Sequence, residues 1–115
     1  MTFNIEGFHR NNFYLTKLLN RVSPKLIFLQ EIWTSYSEQG TLDKLYPEYS
    51  IQISTPDMFT PAEDLLGRSD QLWHGAGIMW HSSLSSNTSS LKTINERFTS
   101  LRITVENNKF LVLSV

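Results

Sequence analysis

The sequence of 115 residues contains no cysteine, which excludes disulfide bonds and thiolate metal sites and is compatible with a reducing compartment. It also lacks any apolar run close to the roughly 20 residues that a membrane helix needs, and its first residues do not have the basic-then-apolar layout of a secretory signal. Neither sign of charge is in excess, because the formal net charge is −1. The chain therefore has no overall basic footprint for nucleic acid, and such a role must depend on a local site, a bound cation or sequence outside this chain. We expect an intracellular protein that does not span a membrane.

What the chain does contain is the composition of an ordinary folded domain. Hydrophobic residues make up 40% and charged residues 18% of the sequence, both close to the usual globular values. Three Trp, seven Phe and four Tyr indicate packed layers rather than disorder. The length fits a single domain over residues 1–115, without internal repeats or a convincing linker.

The first residues predict a short strand that ends in polar side chains. Phe3 and Ile5 alternate with polar neighbours, which places apolar groups on one face of a strand and polar groups on the other. Gly7 then interrupts the pattern. Asn4 and Glu6 therefore share a predicted strand face.

A helix and a second strand follow. A helix is predicted from about residue 11 to residue 22, with Asn11 or Asn12 as its N-cap and Ser23-Pro24 as its end. Residues 26–29 are continuously apolar, as in a strand covered on both faces. The order strand, helix, strand predicts a crossover unit, although the sequence does not fix the direction of the strands. The apolar stripe of the predicted helix is formed by Leu15, Leu18, Leu19 and Val22.

Downstream, the periodicity predicts several short elements. A long connection is expected over residues 55–71 and a Ser-rich turn over residues 82–90. Adjacent Asn107 and Asn108 tolerate positive φ, so the last two strands are expected to form a hairpin. The other predicted elements are a short helix over residues 42–46 and strands over residues 49–53, 75–80, 97–105 and 110–115.

Glu31 follows the second strand directly, after Leu29 and Gln30. If the ends of the two strands lie side by side, Glu31, Glu6 and Asn4 supply the oxygen donors that a hard cation prefers. Each residue also has a plainer interpretation. Either acid could be a solvated residue at a strand end, and Asn4 could bond its own backbone near a turn.

Other polar and aromatic residues carry weaker predictions. His9, His74 and His81 lack metal-ligand spacing and are expected to have structural or surface roles, with an approach of His74 to the site as the alternative. Trp33 is expected to pack, with stacking on a base or sugar as the alternative. Arg97 is expected to be solvated or paired with a neighbouring acid rather than to contact a site.

The pattern Asn4-x-x-Gly7, a helix and then Leu29-Gln30-Glu31 resembles the endonuclease/exonuclease/phosphatase superfamily. Residues 75–79 and 97–103 also resemble middle strands of that superfamily. Together with the stretches 29–33 and 53–59, the chain is most similar to the endonuclease domain of non-LTR retrotransposons. The resemblance covers nearly all of the chain but only about the first half of a family domain.

The resemblance implies both a fold and an activity. The fold would be α/β, the N-terminal half of a four-layered α/β sandwich in which two packed β-sheets are flanked by helices. The activity would be Mg²⁺-dependent hydrolysis of a phosphodiester, with DNA as the leading substrate and the nucleus as the location of a retroelement-derived protein. Glu31 would be the metal carboxylate, Glu6 a further metal ligand, and Asn4 the catalytic amide that hydrogen-bonds around the scissile phosphate.

The chain departs from the family in its missing motifs. The family sequences Tyr-x-Pro, Asp-x-Asn and Ser-Asp-His do not occur, and Ser69-Asp70-Gln71 lacks the histidine. The resemblance therefore implies a fragment that is inactive alone, because the groups that position water and bind phosphate are missing. Such a fragment is also expected to self-associate through exposed sheet edges. The alternatives are a superfamily member that acts on RNA or phospholipid phosphodiesters, and a non-catalytic remnant or interaction domain.

Overall fold

The computed structural model describes residues 1–58, 74–91 and 97–115, where two β-sheets and two α-helices form a mixed α/β domain. Most of the long connection expected over residues 55–71, including Ser69-Asp70-Gln71, lies outside the described residues. No helix in the described ranges is long and apolar enough to cross a membrane. The elements are β1 (Thr2–Asn4), α1 (Phe8–Val22), β2 (Leu26–Gln30), α2 (Gln39–Leu45), β3 (Tyr49–Ser54), β4 (Ala76–His81), β5 (Thr88–Ser90), β6 (Thr99–Val105) and β7 (Asn108–Ser114), with 3₁₀ turns at Tyr36–Glu38, Pro56–Met58 and Ser82–Asn87.

The strands are arranged in a four-stranded sheet 1 and a three-stranded sheet 2. Sheet 1 has the order β1-β2-β4-β3, and sheet 2 has the order β5-β6-β7. β1 and β2 run parallel, with Asn4 opposite Gln30, and α1 connects them. β4 runs antiparallel to β2 and β3, and sheet 2 is antiparallel throughout. The predicted crossover unit is therefore present, and its strands are parallel.

Helix α1 begins at Phe8, before the position that the sequence predicts. Gly7 precedes it with φ 101°, a left-handed conformation that glycine adopts readily, and no side chain caps the helix. The Nδ2 of Asn11 instead donates to the carbonyl oxygens of Ile5 and Glu6, both at 2.9 Å. The predicted asparagine cap is therefore wrong, because Asn11 lies inside the helix and binds the end of the preceding segment.

The buried face of α1 differs from the prediction at the two ends of the helix. Leu15 and Leu19 are buried as predicted and Phe8 joins them, whereas Val22 is 51% exposed. The helix ends where the sequence predicts. Ser23 has a left-handed conformation, and its N–H donates to the carbonyl oxygen of Leu19 at 3.0 Å.

Helices cover one face of sheet 1 and sheet 2 covers the other. Towards sheet 2, the Nε2 of Gln52 donates to the Oγ1 of Thr99 at 2.6 Å and to the carbonyl oxygen of Ser100 at 2.9 Å. The Oγ of Ser114 donates to the carbonyl oxygen of Leu29 at 2.9 Å. Three layers are thus present: helices, sheet 1 and sheet 2. On the helical side the buried core includes Phe8, Leu15, Leu19, Ile27, Leu29, Leu42, Ile51, Ile53 and Met79.

The C-terminal strands form the predicted hairpin. Glu106 and Asn107 occupy its two-residue turn with φ of 51° and 67°, the positive values that such turns require. The predicted Ser-rich turn is more regular than expected. A 3₁₀ turn spans Ser82–Asn87, and the Nδ1 of His81 accepts from the backbone N–H of Ser83 at 3.1 Å. The following β5 then pairs with β6.

Candidate functional site

The candidate site lies where the parallel strands β1 and β2 end together. Beyond the pair Asn4 and Gln30, the N–H of Ile5 donates to the carbonyl oxygen of Gln30 at 3.0 Å. The N–H of Gly7 then donates to the carbonyl oxygen of Glu31 at 2.8 Å. The two segments therefore continue side by side after the strands end, as the sequence predicts for a site that both strands supply.

The backbone at this edge is held in an unusual conformation. Glu6 has φ 49°, Glu31 φ 56° and Trp33 φ 49°, and the glycines Gly7 and Gly75 are also at positive φ. A non-glycine residue in this region costs about 1–3 kcal/mol and persists only where its surroundings enforce it. Such residues concentrate at active sites and ligand clamps. The same conformation occurs at Ser23 after α1 and in the hairpin turn, so at this edge it shows that the surroundings hold the backbone and does not by itself indicate a ligand.

Glu31 is half-buried, and its carboxylate is oriented by a neighbour. The Nε1 of Trp33 donates to Oε2 of Glu31 at 2.8 Å. The Trp33 ring in turn packs on Gly7, where an added Cβ would lie 2.9 Å from Cε3 of the ring. Trp33 therefore packs, as predicted, and also positions the acid. The hydrogen bond from the Trp33 indole N–H fixes the orientation of the Glu31 carboxylate relative to the fold.

Beside Glu31 lies an open cleft of about 290 Å³. Segments that are distant in sequence converge on it. The N–H of Ile32 donates to the carbonyl oxygen of Gly75 at 3.3 Å, and the N–H of Trp33 donates to the carbonyl oxygen of His74 at 3.2 Å. His74 and Arg97 thus line the same cleft as Glu31. The sequence did not favour such a position for either residue. The cleft is lined by Gln30, Glu31, His74, Gly75, Arg97 and Val115.

Asn4 and Glu6 lie at the same sheet edge but do not line this cleft. Both side chains are exposed. β1 ends at Asn4, so the predicted strand face shared with Glu6 does not exist. The left-handed φ of Glu6 ends the strand alternation on which that prediction depended. Their predicted roles depend on proximity at the strand ends rather than on a common strand face.

The donors at this edge are oxygen-rich but few. Among the described residues, no group of three or more His, Asp or Glu side chains converges as a metal cage would. Mg²⁺ usually keeps several waters and takes only one or two protein carboxylates. The chemistry of Glu31, Glu6 and Asn4 therefore fits Mg²⁺ better than a metal that needs a full set of protein ligands.

A second polar cluster ties the first turn of α1 to the segment after β2. The Nε2 of His9 and the hydroxyl of Thr34 both bind Oε2 of Glu38. The Thr34 hydroxyl, and after it the His9 ring, hold the pKa of the Glu38 carboxyl below its ordinary value. The sequence did not predict this cluster, because His9 and Glu38 are 29 residues apart. It fixes the two segments that carry the candidate site relative to each other.

No protein-family model matches this chain, and no curated protein matches it significantly. The functional assignment therefore depends on the residues themselves and on their arrangement at the ends of β1 and β2. The metal roles of Glu31 and Glu6 and the catalytic role of Asn4 stay predictions.

Proposed function

We propose that this chain is the N-terminal part of a Mg²⁺-dependent phosphodiesterase of the endonuclease/exonuclease/phosphatase superfamily, most similar to the DNA endonuclease of non-LTR retrotransposons. One observation carries the proposal. Asn4 and Glu31 lie at the adjacent ends of two parallel strands that a helical crossover joins. This arrangement supports the proposal because it brings the motif residues Asn4 and Glu31 to one edge of sheet 1.

In this proposal each residue of the strand ends has a chemical role. Glu31, with its carboxylate oriented by Trp33, would hold Mg²⁺, and Glu6 would be a further ligand. The bound ion would polarise phosphoryl oxygens and stabilise the leaving oxygen. The Asn4 amide would donate a hydrogen bond to the scissile phosphate. His74 and Arg97, which line the cleft beside Glu31, would add cationic or hydrogen-bonding groups for the same phosphate.

The four-layered sandwich is part of the proposal. Helices, sheet 1 and sheet 2 supply three layers in the described residues. The outer face of sheet 2 carries Leu111 and Leu113, which are 63% and 50% exposed. Apolar side chains on a sheet face are normally covered by a further layer of structure. A second helical layer on sheet 2 is therefore the position at which we place the fourth layer.

We further propose that the chain alone does not catalyse hydrolysis, whereas the parent enzyme acts on DNA in the nucleus. The 115 residues contain no Asp-x-Asn and no Ser-Asp-His sequence. A missing general base alone lowers a rate by about a hundredfold to ten-thousandfold. Weak binding of Mg²⁺ at Glu31 would survive this loss, because the ion needs few protein ligands.

The second candidate is a non-catalytic remnant or interaction domain. The observation that favours it is the bond from Trp33 to Glu31, since that bond already occupies a carboxylate oxygen that a metal could use. In such a domain the strained strand ends would persist as a structural feature without a ligand. The two candidates differ in whether a divalent ion binds at Glu31.

Paramagnetic NMR separates the two candidates. Mn²⁺, used in place of Mg²⁺, broadens the amide signals of residues close to its binding site. Under the phosphodiesterase proposal, Mn²⁺ broadens the signals of residues 4–7 and 30–33 in the wild type and excess Mg²⁺ reverses the effect. The variant Glu31→Gln loses the broadening. The control variant Glu48→Gln, which changes an exposed acid before β3, retains it. Absence of broadening in the wild type, or equal broadening in Glu31→Gln, would instead establish the remnant.

A further inference from the structure

Helix α1 carries a stripe of cations on its exposed side. Arg10, Lys17 and Arg21 are exposed. Their spacing of seven and four residues places them on one face of the helix, opposite the buried side chains of Phe8 and Leu15. The helical rise of about 1.5 Å per residue extends the stripe over about 16 Å. The cations therefore form a continuous line rather than a scattered surface charge.

The charge of this stripe is not neutralised locally. Residues 7–30 contain four Lys and Arg residues and none of the 11 acidic residues of the chain, although the chain as a whole has a net charge of −1. Within the described part of the chain, neither Arg10, Lys17 nor Arg21 lies in an ion pair. The positive charge is thus concentrated on α1 and its flanks, where the sequence supplies no acidic residue.

Two exposed aromatic rings accompany the cations. Phe13 and Tyr14 are 57% and 59% exposed, and their ring centroids lie 5.4 Å apart. The Nζ of Lys17 lies 4.4 Å from the centroid of the Phe13 ring, within the range of a cation–π contact. The two rings therefore form one aromatic patch on the surface of α1 beside the cations. The α1 basic face consists of these five side chains: Arg10, Phe13, Tyr14, Lys17 and Arg21.

The α1 basic face borders a cleft between the helix and β1. The cleft has a volume of about 760 Å³, within the range of about 300–1,000 Å³ that is typical of ligand clefts. Tyr14 and two of the cations form one side, and Phe3 of β1 lies on the other. A planar group can therefore enter the cleft beside an aromatic ring while its charged portion contacts the cations. The lining residues are Phe3, Tyr14, Lys17, Leu18, Asn20 and Arg21.

We propose that the α1 basic face binds single-stranded nucleic acid, with phosphates on Arg10, Lys17 and Arg21 and a base stacked on Tyr14. Proteins that bind single strands without sequence preference combine a positively charged track with aromatic stacking platforms. An acidic peptide would use the cations but not the rings, and a membrane surface would require a broader apolar face than the two rings supply. This site is separate from Glu31 and does not require a metal.

Fluorescence anisotropy with a labelled oligothymidine of about 20 nucleotides, measured in the presence of EDTA, tests the proposal. The wild-type chain is expected to bind, with the affinity falling about 20-fold between about 50 and about 200 mM salt if three phosphates are contacted. The triple variant Arg10→Glu, Lys17→Glu, Arg21→Glu is expected to lose at least about tenfold in affinity. The matched control, Lys44→Glu, Arg102→Glu, Lys109→Glu, reverses three exposed cations elsewhere and should retain affinity within about threefold.

The aromatic part of the proposal has its own test. Tyr14→Leu keeps apolar bulk on the helix surface but removes the stacking surface, so the affinity for the oligonucleotide should fall about fivefold or more. The control Phe110→Leu alters an exposed ring on β7 and should have no effect. Glu31→Gln should bind the oligonucleotide like the wild type, which separates this surface from the candidate metal site.

Several results would overturn the proposal. Equal losses in the two triple variants would show that only net charge matters. If the wild-type chain does not bind the oligonucleotide at low salt, nucleic acid is not the occupant of the α1 basic face. If sedimentation velocity then shows a concentration-dependent dimer that the triple variant on α1 abolishes, a second copy of the chain is the occupant of the α1 basic face.

Discussion

The indole N–H of Trp33 and the carboxylate of Glu31 form a 2.8 Å hydrogen bond between residues only two positions apart, both with left-handed backbone. An extended chain would direct these side chains to the same face but would not turn the ring back on the acid. The turn is possible because the Trp33 ring packs on Gly7, which has no side chain to obstruct it. Strand end, glycine and tryptophan together therefore determine where the acid points.

We predict that Trp33 and Glu31 are energetically coupled. In a double-mutant cycle with Trp33→Phe and Glu31→Ala, the coupling free energy of unfolding should be about 1–2 kcal/mol, because a hydrogen bond to a charged group is lost in either variant. Urea unfolding of the four proteins measures it. The control cycle pairs Glu31→Ala with Trp80→Phe on β4 and should be additive. Additivity in both cycles would mean that the bond does not stabilise the folded state.

Gly7 is predicted to be intolerant of any side chain. Gly7→Ala places a Cβ 2.9 Å from the Trp33 ring at φ 101°, so the free energy of unfolding should fall by about 1–3 kcal/mol. Gly40 in α2 is the matched control, because its Cβ would meet nothing within 4 Å. Gly40→Ala should be neutral or should stabilise by up to about 1 kcal/mol. Thermal or urea unfolding compares the two variants. Similar effects at both glycines would contradict the packing of the Trp33 ring on Gly7.

The cluster at Glu38 predicts a specific acid sensitivity. The pKa of Glu38 is lower in the folded chain than its ordinary value of 4.5. Its carboxylate therefore contributes stability that is present above that value and is lost as the pH falls through the lowered folded pKa. Thr34→Val removes the larger cause of the shift, so stability should fall less steeply between about pH 5 and about pH 3.

Unfolding followed by circular dichroism as a function of pH measures this slope. Thr41→Val, which alters an exposed threonine in α2, serves as the control and should retain the wild-type slope. A Thr34→Val protein with an unchanged slope would show that the hydroxyl does not stabilise the charged form of Glu38.

The self-association expected from the sequence is predicted to involve β7. Within the described residues β7 pairs only with β6, and Leu111 and Leu113 are exposed on it. β7 carries Lys109 near its start, but residues 110–113 are apolar. An apolar edge strand invites pairing with another chain, and additional lysines oppose it. The double variant Leu111→Lys, Leu113→Lys should therefore lower the concentration-dependent increase in sedimentation coefficient. The control Ser85→Lys, Ser86→Lys adds the same charge in the 3₁₀ turn before β5 and should not change it.

Local sequence patterns predicted most of the regular elements. Alternation identified β3, a continuous apolar run identified β2, and Asn107 with its neighbour identified the hairpin turn. The start of α1 was misplaced because Asn11 looks like an N-cap in sequence, whereas its amide binds the carbonyl oxygens of Ile5 and Glu6. The sequence could not predict whether β1 and β2 run parallel, because the relative direction of two strands is set by how they pair and not by any single residue.

The candidate site was predictable only in part. Glu31 was identified because it follows an apolar run, and Asn4 because it lies three residues before Gly7 on the first predicted strand; the parallel pairing does bring those strand ends together. The participation of His74 and Arg97 in the cleft was considered but not favoured, because both come from segments far along the chain. The hydrogen bond from Trp33 to Glu31 joins residues only two positions apart, and this short spacing is its one signal in the sequence. That signal becomes meaningful only when the backbone is known to be left-handed at both residues.

The short length of β1 has a consequence for how this edge of the molecule behaves in time. β1 contains three residues, lies at the margin of sheet 1 and pairs with one neighbour in the described chain. Its own ladder is short, whereas Ile5 and Gly7 beyond it bind the carbonyl oxygens of Gln30 and Glu31. We therefore expect β1 to open more readily than the centre of the sheet. Amide hydrogens of residues 2–4 should accordingly exchange with solvent faster than those of β2. Any ligand captured there would have to order the strand as it binds, and its affinity would report the free energy of that ordering as well as the contacts.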